Sequence, residues 1–210
     1  ELKAPILPDP DFVPHVVDCI RTSGIADRLL LVSFRHDLLQ QAKALMPELR
    51  IGVLTLGDLL SMMLPPPVIW QDLGLVNSMD EPLDEENCPA LKKQVGMVSS
   101  VISDKLTLIA ALYPQMSVRQ ILATLSAQAD PAAYVRTLGF PVELVSCEYH
   151  TAFANPEVVN QLHDAGCKAA FWTVNTEDVV RSLVPLGPDC FVTDRPDVIR
   201  EWIEKAQTET

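Results

Sequence analysis

Short apolar runs alternate with segments of helical spacing along much of this chain. LLLVSF (29–34) is a continuous apolar run of strand length, which suits a strand buried on both faces. HDLLQQAKALMP (36–47) follows with apolar residues at helical spacing and stops at a proline, and RIGVLT (50–55) is the next strand-like run. Near the C-terminus the rhythm returns. VELVS (142–146) precedes NPEVVNQLHDAG, where Asn155 is placed to cap a helix, Pro156 to open it and Gly166 to stop it. AAFWTV (169–174) precedes TEDVVRSLVPLG, with Asn175 or Thr176 as cap, and CFVT (190–193) precedes the amphipathic stretch RPDVIREWIEKA. ELK (1–3) reads as the end of a further strand, and FVPHVVDCIRTSG (12–24) as a helix ended by Gly24. Six strands are thus expected, near 1–3, 29–34, 50–55, 142–146, 169–174 and 190–193. Their apolar runs and alternating helices predict a parallel α/β sheet covered by helices. An open doubly wound sheet and most of a (β/α)8 barrel both fit, and periodicity does not separate them.

Residues 62–130 break this rhythm. MMLPPPVIW is a proline-stiffened segment that cannot be helix interior, and NSMDEPLDEENCP (77–89) is acidic and turn-rich, which predicts a solvated loop. ALKKQVGMVSSVISDKLTLIAALYP (90–114) and SVRQILATLSAQ (117–128) read as two amphipathic helices. One domain over 1–210, with 62–130 as a helical insertion within it, is the expected organisation.

Composition narrows the classes. The 210 residues are 48% hydrophobic, enough for one sizeable core. The net charge of −12 and pI near 4.6 argue against electrostatic binding to nucleic acid. Five widely spaced cysteines show no CxxC or zinc spacing and read as mostly buried thiols of a reducing compartment, so a cytoplasmic location is the expectation. There is no run of 18 apolar residues. The chain opens on ELKAP without a methionine, as expected of a processed protein or a piece of a longer one.

In parallel α/β architectures, reactive groups gather at the C-terminal ends of the strands. The residues there are Glu1 and Lys3, Ser33 and Phe34, Thr55, Glu148 and His150, Trp172 and Asn175, and Thr193 to Arg195. Glu1 and Lys3 stand two apart and share a strand face. Alone they read as a plain ion pair; the functional reading gives the carboxylate a hard divalent cation and the lysine a phosphate. Trp172 is either a core aromatic with its indole N–H satisfied or a pocket wall, and its place at a strand end favours the wall. His36 and His163, each followed by an aspartate, read as helix-surface or capping residues. His150 is the best placed of the four histidines, with no evident nucleophile or metal partner. No Walker motif, HExxH or GxSxG occurs.

Taken together, the blocks ELK, LLLVSFRHDLLQQAKALMPELRIGVLT and ANPEVVNQLHDAGCKAAFWTVNTEDVVRSLVPLGPDCFVTDRPDVI resemble the glycerophosphodiester phosphodiesterases. The last block, with Trp-Thr-Val-Asn and Thr-Asp-Arg-Pro, is the specific one. The resemblance covers most of 1–60 and 140–200, and 62–130 has no evident counterpart. It implies a (β/α)8 TIM barrel of the phosphodiesterase type, present here as about its third to eighth strands. The implied chemistry is hydrolysis of a glycerophosphodiester to glycerol 3-phosphate and an alcohol, a reaction of lipid metabolism, with Ca2+ or Mg2+ as the usual cofactor. Carried over by position, Glu1 matches the family's metal-binding glutamate and Lys3 the catalytic lysine near the phosphate. Trp172 matches the aromatic lining the pocket, and Phe34 of the Ser-Phe strand joins it as a substrate-binding candidate. Asn175, Asp194 and Arg195 fall in matching motifs with structural roles, capping a helix and closing the barrel through buried polar pairs.

The family's His-Arg-Gly strand, Glu-x-Asp strand and His-Asp loop are absent from this sequence. Three readings follow: a phosphoric diester hydrolase truncated to an incomplete enzyme, a non-catalytic barrel remnant serving as a binding or interaction module, and a barrel completed in trans. A phosphatidylinositol-specific phospholipase or phospholipase D toxin type ranks lower, because the Trp-Thr-Val-Asn block is at home in the phosphodiesterases. The expected partner is a small-molecule glycerophosphodiester and no nucleic acid. Residues 62–130 are a candidate lid over the site and a candidate membrane-surface or oligomer contact.

Overall fold

Five strands pair side by side in the order in which they occur. The computed structural model describes residues 1–3, 9–57, 70–91 and 100–208. Strand β1 (Leu30–Ser33) pairs with β2 (Arg50–Thr55), β2 with β3 (Leu144–Glu148), β3 with β4 (Lys168–Trp172), and β4 with β5 (Cys190–Phe191), all parallel. A doubly wound sheet reverses its strand order at a switch point, whereas a barrel adds each strand beside the last. The sequential order therefore decides between the two architectures in favour of a barrel arc.

The sixth expected strand is absent from the ladder. Residues 1–3 lie against the outer edge of β1, where Leu2 N–H donates to Val32 O at 2.8 Å and Ser33 Oγ donates to Leu2 O at 2.6 Å. One backbone bond holds this short segment extended but builds no ladder.

The helices mostly fall where the apolar spacing puts them. Helix α1 (Phe12–Ser23) buries Val13, Val17 and Ile20 and ends at Gly24, whose φ of 70° is the left-handed stop expected there. α2 (His36–Leu45) follows β1; α3 (Ser100–Leu112) and α4 (Val118–Gln128) form the helical segment. Residues 92–99 of the expected 90–114 helix, and MMLPPPVI before Trp70, lie outside the described residues. α4 opens with a reciprocal box: Ser117 Oγ accepts from Gln120 N–H, and Gln120 Oε1 accepts from Ser117 N–H.

Two short helices escape the sequence pattern, α5 (Pro131–Val135), capped by Asp130, and α6 (His150–Ala154). The second displaces an expectation. Asn155 ends α6 and also bonds forward, its Oδ1 accepting from Glu157 N–H at 3.2 Å, while α7 (Val158–Asp164) starts two residues later than Pro156 would place it. α8 (Glu177–Leu183) follows Thr176, which makes no side-chain cap, and α9 (Ile199–Thr208) closes the described chain.

The strand register sorts the sheet's faces. Leu31 sits beside Ile51, Val53 beside Val145, and Cys147 beside Phe171, so these side chains leave the sheet together. They pack against α1, α2, α7 and α8 through Val17, Leu39, Leu162 and Val180 in the main core. The opposite, inner face carries Val32, Gly52, Leu144, Ser146, Glu148 and Trp172. Gly52 is required there, because a Cβ would stand 2.8 Å from Val32 Cγ1.

The helical segment has a second core of Leu56, Trp70, Leu106, Ile109, Ile121 and their neighbours, against which Phe34 and Trp172 pack. The acidic 77–89 stretch is turn-rich with its acidic side chains exposed, as expected, and it also lends buried residues to this core. Leu83, Asn87 and Cys88 are buried, and the Asn87 amide donates to Ser78 O, Glu81 O and Pro82 O while its Oδ1 accepts from Ser78 N–H. Among the described residues, no helix is long and apolar enough to cross a membrane.

Candidate active site

The inner face opens at the C-terminal ends of the strands into a cavity of about 520 Å³. Glu1, Lys3, Phe34 and Trp172 all line it. Local structure explains the convergence. Leu2 is buried in the main core, so Glu1 and Lys3 on either side of it turn outward to the cavity rim. Ser33 fixes this arrangement by donating to Leu2 O and accepting from Arg35 N–H at 3.0 Å. No ion pair joins Glu1 to Lys3 among the described residues, so the plain ion-pair reading is not what the structure has.

Trp172 is half-buried at the end of β4. Its indole N–H donates to Ser146 O on the neighbouring strand at 3.1 Å, and Phe34 meets its ring edge-on with centroids 5.4 Å apart. The polar end is thus satisfied by the sheet and the ring is left to form the wall, so both sequence readings of this residue hold together. Helix α3 supplies Leu108, Ala111 and Leu112 to the opposite side. Arg35 also reaches the cavity, bidentate to Asp37 at 2.8 and 2.7 Å. That hydrogen-bonded pairing raises the guanidinium's pKa and keeps it charged.

The histidines divide sharply. His36 is buried, not on the helix surface. Its Nε2–H donates to Leu54 O at 3.0 Å, which leaves Nδ1 to accept from Tyr134 Oη–H at 2.7 Å. Burial pulls its pKa down to about 4, so the ring is neutral. His163 lies on α7 at the surface, 2.8 Å from Asp189, as its helical spacing suggests. His150 has a partner that the sequence did not reveal. Its Nδ1 and its backbone N–H both bond the carboxylate of Glu148, at 2.8 and 2.9 Å. The Glu-x-His spacing across a strand end was the available signal, but only the turn after β3 brings the two groups together.

Asn175 is not a helix cap. Its Oδ1 accepts from Asp194 N–H at 2.9 Å and Thr193 Oγ–H at 3.2 Å, and its amide donates to Asp194 Oδ2 at 2.8 Å. Arg195 bonds Thr193 and Asp197. These polar pairs tie β4 to the segment after β5, as expected, but at the surface and not buried.

A hard divalent ion wants about six or more oxygen ligands. Glu1 is the carboxylate lining the cavity, and among the described residues no group of three His, Cys, Asp or Glu side chains could hold a metal ion. The described residues do not by themselves fit the ion.

Residues 75–198 match the model of the glycerophosphoryl diester phosphodiesterase family. This chain belongs to that family. Most of the 62–130 segment therefore lies inside the family match. Three solved structures share the fold: a glycerophosphoryl-diester-phosphodiesterase-type protein of Silicibacter pomeroyi (18% identity, TM-score 0.54), a glycerophosphodiester phosphodiesterase of Parabacteroides distasonis (14%, 0.51), and a protein of the same type from Galdieria sulphuraria (12%, 0.50). They cover 96%, 95% and 95% of this chain, and 49%, 51% and 53% of their own. The chain thus spans about half the length of these relatives. No curated protein matches it. In this phosphodiesterase-family chain, the five-stranded sheet is an arc of the TIM barrel, with its ends at β1 and β5.

Proposed function

We propose that the cavity is part of a phosphodiesterase site that hydrolyses glycerophosphodiesters to glycerol 3-phosphate and an alcohol. The observation that carries this reading is the convergence of Glu1, Lys3, Phe34 and Trp172 on one cavity at the strand ends. Lys3 is the group to bind the phosphate and offset the charge that grows on its oxygens during attack. Trp172 and Phe34 offer an apolar wall for the carbon skeleton, and α3 narrows the mouth and keeps bulk water from the reacting atoms. The family's divalent ion would add Lewis-acid stabilisation where its ligands are complete, with Glu1 as one of them.

Purified chain is tested on glycerophosphocholine, with calcium, magnesium or chelator. Turnover that falls at least about tenfold in Lys3→Met supports the reading, since a positioned cation contributes that much or more. Equal turnover in the two proteins removes Lys3 from the site. The incomplete donor set favours a second reading, a module that binds without hydrolysis. It predicts saturable binding of glycerol 3-phosphate, weakened in Lys3→Met and Trp172→Ala, with no turnover.

A further inference from the structure

A second cavity, of about 340 Å³, opens beside the first. The two meet at the turn after β1, where Phe34 and Arg35 line both. The helical segment supplies the other side of the second cavity: Tyr113 just after α3, Thr124 on α4 and Tyr134 on α5. The turn is fixed from several directions. Ser33 Oγ accepts from Arg35 N–H, and His36 bonds both Leu54 O and Tyr134 Oη. No ligand is needed to shape the cavity, which lowers the cost of filling it.

Its lining differs from that of the first cavity. There Leu54, Leu108, Leu112 and Trp172 make an apolar wall. Here hydroxyls and an ion pair stand among aromatic rings. The pair between Arg35 and Asp37 uses Nε and Nη2, so the two Nη1 hydrogens lie outside it. Tyr134 Oη donates to His36 Nδ1 and Thr124 Oγ1 donates to Gln120 O, which leaves both oxygens as acceptors. The lining thus offers donors and acceptors, while its charged pair sums to zero. A neutral group with several hydroxyls matches this, because each O–H can both give and accept. A quaternary ammonium would find the rings of Phe34, Tyr113 and Tyr134, but it makes no hydrogen bond and the guanidinium opposes its charge. The volume is at the low end of ligand pockets, about 300–1,000 Å³, and suits a small headgroup better than an acyl chain.

We propose that this second cavity holds the alcohol part of the substrate, and that this alcohol is a neutral polyol, linear or cyclic. This rests on the phosphodiesterase reading above, with Lys3 at the phosphate. Arg35 and Thr124 are then specificity-determining residues.

The test measures kcat/KM for three diesters with the same phosphoglycerol: glycerophosphoinositol, glycerophosphoglycerol and glycerophosphocholine. At least one polyol ester should exceed the choline ester by about tenfold, the worth of one or two hydrogen bonds. Which of the two leads tells a ring polyol from a linear one. Thr124→Leu fills the second cavity without lining the first, and should cut the preference below about threefold. Arg35→Gln leaves the Asp37 charge unbalanced and should turn the preference toward the choline ester. A merely structural role would not reverse a ratio. A choline ester used as well as either polyol ester overturns the proposal. So does a polyol preference that either folded variant keeps. If wild-type chain turns over none of the three, the phosphodiesterase reading fails first. The cavity is then judged by following Tyr134 ring resonances during titration with intact glycerophosphoinositol. A saturable shift, lost in Thr124→Leu and absent with glycerophosphocholine, supports the placement. Ring signals that stay still, or that move equally with the choline ester, overturn it.

Discussion

At the residue scale, buried polar groups set what the sequence pattern could not. His36 and His163 look alike in sequence, each followed by Asp, yet the structure buries one and exposes the other. Burial holds His36 neutral, with its pKa near 4 against 6.5 for a free histidine. Between those values the unfolded chain binds the proton that the folded chain refuses. Stability is therefore fully expressed above about pH 6.5 and falls as pH drops toward 4, by about 3 kcal/mol at the limit. Urea midpoints of wild type and His36→Leu, measured from pH 7 to 5, should converge as the pH falls, because only wild type carries this dependence. Parallel curves would mean that His36 binds protons in the fold as it does in the unfolded chain. Asn87 makes the same point from the other side. Its four hydrogen bonds organise a loop that composition marks as solvated, since acidic side chains point outward while one amide satisfies the backbone inside.

At the element scale, the strands and long helices were legible because their apolar runs and spacing are strong signals. ELK could not be read correctly, since three residues carry no periodicity. The five-residue helices α5 and α6 are too short to show a face, and α6 in turn moved the start of α7. What holds α6 in place is also invisible in sequence. Gly57, just after β2, has φ of +57°, and a Cβ there would stand 1.9 Å from Thr151 Oγ1. Gly57→Ala should therefore cost about 1–2 kcal/mol for the left-handed backbone, with more from the overlap. Its distinguishing effect is local: the amides of residues 150–154 should exchange with solvent faster than those of β3 beside them. Uniform loss of protection across the sheet would mean that the loop after β2 does not clamp α6. Because α6 begins at His150, this packing also bears on the geometry of the Glu148 pair.

At the scale of the whole molecule, strand order gave the barrel, and the family motifs found four of the side chains that line its cavity. The Glu148–His150 pair is made by the turn after β3, which the Glu-x-His spacing alone does not show. The same whole-molecule view bears on the metal. A chain of net charge −12 attracts cations diffusely, but a hard ion is held only where several oxygens converge. Among the described residues Glu1 is the one carboxylate lining the cavity, and no three-ligand group exists. Calcium should then bind this chain no more tightly than about 1 mM, the weak end of protein sites. Ligand binding stabilises by RT ln(1 + [L]/Kd), so 1 mM calcium should add about 0.4 kcal/mol or less, against about 2.7 for a site near 10 μM. For a chain of this size those figures correspond to a Tm shift of about 1 °C and about 5–10 °C. Thermal melts in 1 mM calcium or chelator, at fixed ionic strength, separate the two. A shift of the larger size, abolished in Glu1→Gln, would mean that ligands outside the described residues complete the ion's shell.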